Sequence, residues 1–72
     1  MATNDIRSLF AKQLRSLRSK RGLTQAQIAE SAGMKFRHYQ KLESKDPSNV
    51  KIETIGKLAK ALKTTPSKLL DF

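Results

Sequence analysis

The sequence predicts an all-α protein, a compact bundle of five short helices within a single domain over residues 1–72. Three observations favour this fold class. Apolar residues recur every three or four positions in several separate segments, which is the spacing of one face of a helix. Threonine, glycine or proline marks the ends of most of these segments, as helix starts and stops require. A chain of 72 residues has room for one small core.

The first helix is predicted over residues 6–21. Its apolar positions are Ile6, Leu9, Phe10, Leu14 and Leu17. Gly22 follows the basic run of residues 18–21, as a helix stop should. We interpret this helix as packed on the core, with a solvated basic side made of Arg7, Lys12, Arg15, Lys20 and Arg21. The alternative is an amphipathic helix that lies on a membrane surface.

The next two helices are predicted over residues 24–31 and 35–44. The hydroxyl of Thr24 can accept from the N–H of Gln27 while the Gln27 side chain reaches back, which makes a capping box. Gly33 allows the chain to leave the second helix in a left-handed conformation. Two short helices joined by a turn of about three residues have the form of a helix-turn-helix, whose second helix enters the major groove of DNA.

The third helix has two different sides. At about 100° per residue, Tyr39 and Leu42 fall on one side, which we expect to pack. Four residues share the opposite side: Phe36, Arg37, Gln40 and Lys41. Arginine and lysine suit the O6 and N7 atoms of guanine, glutamine can pair with adenine, and phenylalanine can cover a thymine methyl. We predict that these four residues contact bases.

Each of these assignments has an alternative. Arg37 and Lys41 can contact phosphate alone, Gln40 can be merely solvated, and Phe36 can fold back onto the edge of the core. Lys35, at the start of the third helix, is predicted to contact the DNA backbone. His38 lies at the edge of the reading side, where it can donate to phosphate, sense pH or play no part in binding.

Composition narrows the possible functions. Fifteen Lys and Arg residues against six Asp and Glu give a formal charge of +9, which favours a polyanionic partner. One histidine, no cysteine and no cluster of carboxylates predict neither a catalytic nor a metal site, so we expect no enzyme and no cofactor. The start of the chain does not resemble a signal peptide and no segment has the length of a membrane span, which predicts a cytoplasmic protein without a membrane partner.

Two more helices complete the predicted bundle. Pro47 interrupts the pattern, and a fourth helix is predicted over residues 52–62. Gly56 within it costs about 1 kcal/mol relative to alanine, which either a close helix–helix contact or simple tolerance would explain. Thr65 and Pro66 form an N-cap and first-turn proline that open a short fifth helix, predicted over residues 66–71.

Residues 22–33, 39–43 and 54–62 resemble the lambda-repressor-like helix-turn-helix family, also called the Cro or XRE type. The small residue, turn glycine and apolar anchor of the family pattern correspond to Ala29, Gly33 and Tyr39. The anchor is commonly valine or isoleucine in that family. A tyrosine there either enlarges the core or directs its hydroxyl towards phosphate.

The resemblance implies further roles. Gln25, at the start of the second helix, corresponds to a position that clamps a phosphate, and Arg18 and Glu43 correspond to a partly buried salt bridge. The start of the fourth helix approaches the DNA backbone in the family. Three residues there are phosphate candidates, with a solvated loop as the alternative: Ser48, Asn49 and Lys51.

The resemblance also implies a function. In the family the last helix often pairs across a two-fold axis, so Leu69, Leu70 and Phe72 are expected dimer contacts unless they close the monomer core. We expect a transcription regulator that binds double-stranded DNA as a homodimer on a palindromic operator, as phage repressors and restriction-modification controllers do. The alternatives are a basic protein that binds nucleic acid without sequence preference, and an antitoxin-like module with another protein partner.

Overall fold

The computed structural model describes residues 5–72, so the first four residues of the predicted domain lie outside the described range. The predicted all-α bundle is confirmed. Over the described residues its five helices are α1 (Ile6–Arg21), α2 (Gln25–Ser31), α3 (Phe36–Leu42), α4 (Ile52–Ala61) and α5 (Pro66–Leu69). None of the helices over residues 5–72 combines the length with the apolar character that a membrane span requires.

Local signals determine several helix ends. Thr24 Oγ1 accepts from Gln27 N at 3.1 Å while Thr24 N donates to Gln27 Oε1 at 2.9 Å, so the capping box is present. Gly22 and Gly33, after α1 and α2, both have φ of 68°, the left-handed conformation that glycine adopts freely. Thr65 caps α5, whose first residue is proline. The capping box begins α2, and Gly33 lets the chain turn sharply from α2 into α3.

Other helix ends differ from the predicted bounds. The predicted third helix, 35–44, is shorter in the structure because Lys35 has extended backbone as the N-cap and Glu43 is the C-cap. Likewise α4 ends at Ala61 rather than at residue 62, and α5 ends at Leu69 rather than at residue 71. The last turns of all three helices therefore close earlier than apolar periodicity indicates.

The core draws on all five helices. Its largest fully buried side chains are Leu14, Ile28, Tyr39, Leu42, Leu58, Leu62 and Leu69. Leu69 has no exposed surface, so its prediction as a dimer contact is wrong. The reason is that α5 packs against α1 and α4, where Gln13 Nε2 also donates to the carbonyl of Lys68 at 2.8 Å. Leu69 therefore closes the monomer core.

Gly56 has no neighbour that requires a glycine. A Cβ built on it meets no heavy atom within 4 Å, and the residue is exposed on α4. A close helix–helix contact is therefore not the explanation for this glycine. Its position in the helix is tolerated, at the backbone cost that the sequence indicates.

Candidate nucleic-acid interface

The two sides of α3 are separated as the helical spacing predicts. Tyr39 and Leu42 are buried, with 0% and 1% of their surface exposed. The four predicted base-contact residues are all exposed: Phe36, Arg37, Gln40 and Lys41. Phe36 is 44% exposed and lines a shallow groove together with Thr24 and Gln25 at the start of α2. The side of α3 that faces away from the core therefore carries long polar and basic side chains, with one apolar residue at its start.

Lys41 has one nearby counter-charge. Its Nζ lies 3.6 Å from Oδ2 of Asp46, and both side chains are largely exposed. An exposed ion pair at this distance contributes little, because water screens both charges. Lys41 is therefore available to a stronger anionic or guanine partner.

Four of the predicted phosphate contacts lie together. They line a groove between the start of α3 and the start of α4: Lys35, His38, Asn49 and Lys51. Glu53 also lines this groove and reduces its positive charge. Ser48 lies apart from the groove, half-buried beside Phe10 and Val50. The structure thus groups the basic candidates but not Ser48.

Gln25 is already engaged within the protein. Its Nε2 donates to Oε1 of Glu43 at 3.0 Å, and its side chain is half-buried. An amide nitrogen has two hydrogens, so one N–H is left for the phosphate contact that the resemblance implies. The hydrogen bond to Glu43 would hold that remaining donor in place.

Glu43 is the centre of a buried polar cluster at the end of α3. It is 4% exposed, and Nε and Nη2 of Arg18 donate to its two carboxylate oxygens at 2.7 and 3.0 Å. The Tyr39 hydroxyl donates to Oε2, so this side chain enlarges the core and does not reach out to phosphate. With Gln25 on Oε1, the carboxylate joins α1, α2 and α3.

The ionisation of this cluster follows from its contacts. Burial alone would raise the pKa of Glu43, but the hydrogen bonds from Arg18, Tyr39 and Gln25 outweigh burial and hold the pKa below its ordinary value. Burial and the bond to Glu43 raise the pKa of the Tyr39 hydroxyl. At neutral pH the cluster is therefore a carboxylate with neutral and cationic donors, and it fixes the end of α3.

Two arginines interpreted as solvated have structural roles. Nη1 of Arg15 donates to the carbonyl of Glu43, just after α3. Nε of Arg21 donates to the carbonyl of Leu62 at 2.9 Å, just after α4. Cations favour the carbonyl ends of helices, but sequence spacing alone does not reveal which helix end lies near which arginine.

Apolar side chains are exposed near the carboxyl end of the chain. Leu70 and Phe72 are 45% and 48% exposed, and Ile6 on α1 is 66% exposed. All three line one cleft with Phe10 and Ile55. Two of the three predicted dimer contacts, Leu70 and Phe72, are therefore on the surface, whereas Leu69 is not.

Known proteins are similar to this chain in sequence and in fold. The helix-turn-helix family model HTH_3 matches residues 14–69. The chain is 39% identical over 66 residues to the control protein C.SmaI of Serratia marcescens, covering 92% of this chain and 77% of that protein. It is 35% identical over 71 residues to the control protein C.BamHI of Bacillus amyloliquefaciens, covering 97% and 86% of the two chains.

Two solved structures have a similar fold. The restriction-modification controller protein C.AhdI from Aeromonas hydrophila superposes with a TM-score of 0.82 at 33% identity, over 88% of this chain and 94% of that one. The hypothetical transcription factor NHTF from Neisseria superposes with a TM-score of 0.85 at 26% identity, over 97% and 79% of the two chains. The chain thus belongs to the XRE-type helix-turn-helix family of DNA-binding transcription regulators.

Proposed function

We propose that the protein binds a palindromic operator as a homodimer and regulates transcription in the cytoplasm, as a controller of restriction-modification genes. The observation that carries the proposal is the exposed side of α3, which presents Phe36, Arg37, Gln40 and Lys41 while its other side is held in the core. Similarity to the control proteins C.SmaI and C.BamHI supports the regulatory role. We also infer that the protein is not an enzyme.

In the proposed complex α3 lies in the major groove. Arg37 and Lys41 donate to guanine O6 and N7, Gln40 pairs with adenine, and Phe36 covers a thymine methyl. Position along the duplex is fixed by phosphate contacts, which carry no sequence information. The proposed phosphate contacts are Gln25, Lys35, His38, Ser48, Asn49 and Lys51.

Dimerisation would place two copies of α3 on one operator. Leu70 and Phe72 support a two-fold contact because they leave an apolar surface open beside Ile6. A symmetric dimer presents its two recognition helices about one helical turn of DNA apart, roughly 34 Å. The operator would therefore be an inverted repeat with that half-site spacing.

Selection of bound duplexes from random DNA tests the proposal. We expect an enriched inverted repeat that the protein prefers at least ~10³-fold over bulk DNA at physiological salt. Absence of any enriched motif, with binding to all duplexes alike, would instead indicate a sequence-indifferent basic protein. If a variant that combines Arg37→Ala with Lys41→Ala still binds a protein partner and keeps its effect in the cell, the fold acts as a protein-interaction module.

A further inference from the structure

Three helices of this protein end in the same backbone motif. After α1, α2 and α4 comes a residue with positive φ, namely Gly22 at 68°, Gly33 at 68° and Lys63 at 56°. In each case the following N–H returns to a carbonyl in the last turns of the helix, as Thr64 N does to Ala59 O at 2.8 Å. Two helices therefore use glycine at this position and the third uses lysine.

Lysine at this position has a conformational cost. The left-handed region brings Cβ close to the following carbonyl, so glycine adopts it freely and a lysine does not. Among residues 5–72, Lys63 is the one non-glycine residue with positive φ. Arg21 Nη2 donates to the Lys63 carbonyl at 3.2 Å, which helps to hold this conformation. Glycine would fit this backbone conformation better, so the backbone does not account for a lysine at position 63.

Lys63 lines a groove with two other lysines. Lys57 and Lys60 of α4 lie on one wall of this groove, and the end of α2 with Gly33 forms the other. A second groove, which contains the phosphate candidates Lys35 and Lys51, shares Gly33 and Lys57 with the first. The two grooves therefore adjoin, and lysines follow them continuously from α3 to the end of α4.

These lysines form an excess of uncompensated charge. All five are exposed, and none takes part in the ion pairs found over residues 5–72. The carboxylates that line the two grooves are Glu30 and Glu53. Like charges three residues apart on a helix, such as Lys57 and Lys60, repel each other. Phosphates of a polyanion placed among these lysines would offset that repulsion, and the cations condensed on the polyanion would be released into solution.

We propose that Lys57, Lys60 and Lys63 form a second phosphate-binding track, which holds DNA that flanks the segment read by α3. This inference rests on the proposed DNA-binding function. The track continues from Lys51, at the start of α4, to the far end of that helix. The ten residues of α4 rise about 15 Å at 1.5 Å per residue, which equals the rise of roughly four base pairs. The track contacts the backbone alone and lengthens the bound segment without adding sequence preference.

The test compares two duplexes with the same selected operator. One ends at the operator, and the other extends it by about one helical turn, 10 bp, on each side. The variants are Lys57→Gln with Lys60→Gln, and Lys63→Gly. The controls are Lys12→Gln, which removes an exposed charge from α1, and Lys63→Arg, which keeps the charge at the end of α4.

The track variants should weaken binding to the long duplex and leave the short duplex unchanged. Each lost phosphate contact lowers the salt dependence, so a fourfold rise in salt should weaken the long-duplex complex of Lys63→Gly about 3.5-fold less than that of the wild type. Lys12→Gln should bind the two duplexes in the wild-type ratio, and Lys63→Arg should bind like the wild type. Lys63→Gly should also have a higher melting temperature, because glycine relieves the backbone conformation.

Weaker DNA binding by a more stable protein is a result that a purely structural role for Lys63 would not give. The proposal is overturned if the track variants bind the long duplex as tightly as the wild type. It is also overturned if the track variants lose the same fraction of their affinity on both duplexes, or if Lys63→Arg loses as much affinity as Lys63→Gly. Failure of the wild type to prefer the operator on the short duplex would contradict the proposed function instead.

Discussion

Arg18 holds Glu43 at two points, with Nε 2.7 Å from Oε2 and Nη2 3.0 Å from Oε1. Glu43 directly follows α3, so this ion pair links the end of the proposed recognition helix to α1. Because Glu43 is 4% exposed, its charge depends on protein donors in place of water. The orientation of α3 therefore depends on Glu43, which is buried and takes no part in the exposed side of the helix.

Replacing Arg18 with methionine should lower the free energy of unfolding by roughly 3 kcal/mol, since it leaves a buried carboxylate without its cation while keeping the apolar stem. Urea denaturation followed by circular dichroism measures the change. Lys20→Met, at an exposed position of the same helix, should change stability by less than about 0.5 kcal/mol. Equal losses in the two variants would contradict a special role for the Arg18–Glu43 pair.

Stability should fall at acidic pH in a way that depends on Glu43. Hydrogen bonds from its partners outweigh the effect of burial and hold its pKa below the ordinary value of 4.5. A carboxyl whose pKa is lowered by folding contributes stability that is complete above its ordinary pKa and is lost as pH falls through the folded value. We therefore expect a stable plateau above about pH 5 and a decline below it.

Glu43→Gln is the matched control for this pH dependence. Its decline in unfolding free energy below the plateau should be shallower than that of the wild type. Asp5, whose pKa is also lowered through its hydrogen bonds with Arg7, titrates in both proteins, so the difference between the two curves isolates Glu43. Parallel curves would show that Glu43 does not carry the pH dependence.

Gly56→Ala should stabilise the protein by about 0.5–1 kcal/mol, because it adds a good helix former where a Cβ meets no neighbour within 4 Å. Thermal unfolding measures the gain, and operator binding should not change. Gly33→Ala provides the contrast: its φ of 68° strains an alanine, so that variant should lose about 1 kcal/mol or more. A loss of stability in Gly56→Ala would contradict the open environment of this residue.

Leu70→Ser combined with Phe72→Ser should weaken dimerisation without unfolding the monomer, because both side chains are about half exposed. Sedimentation of the free protein and of its operator complex at micromolar concentration measures the assembly. Leu69→Ala should behave differently and cost about 2–5 kcal/mol of stability, since Leu69 is wholly buried. A wild-type protein that is monomeric both free and on DNA would rule out the proposed dimer.

The sequence predicts the parts of this fold that depend on neighbouring residues. The capping box of Thr24 with Gln27, the helix stop at Gly22 and the left-handed Gly33 are short-range signals, and the structure contains all of them. The same periodicity that identifies Leu69 as apolar cannot say whether it packs within one chain or against a second copy. That distinction depends on where α5 lies on α1 and α4.

Parts of the candidate site depend on the packing of helices and so are not visible in the sequence. Arg15 and Arg21 have the spacing of solvated residues on α1, yet they donate to carbonyls that follow α3 and α4. The bond from Gln25 to Glu43 joins residues 18 positions apart. The two sides of α3, in contrast, follow directly from 3.6 residues per turn, and Tyr39 is buried as that spacing predicts.

The central claim is that the exposed side of α3 reads bases, and Arg37 tests it most directly. Affinity of the wild type, Arg37→Ala and Lys51→Ala should be measured on the selected operator and on each of its single base-pair variants. Arg37→Ala should lose about 1–3 kcal/mol of binding free energy on the operator and should no longer discriminate among base pairs at one position of it. Lys51→Ala should weaken binding to all sequences alike. If both variants lose affinity uniformly over all sequences, Arg37 does not read a base and the account of α3 as the reading helix is contradicted.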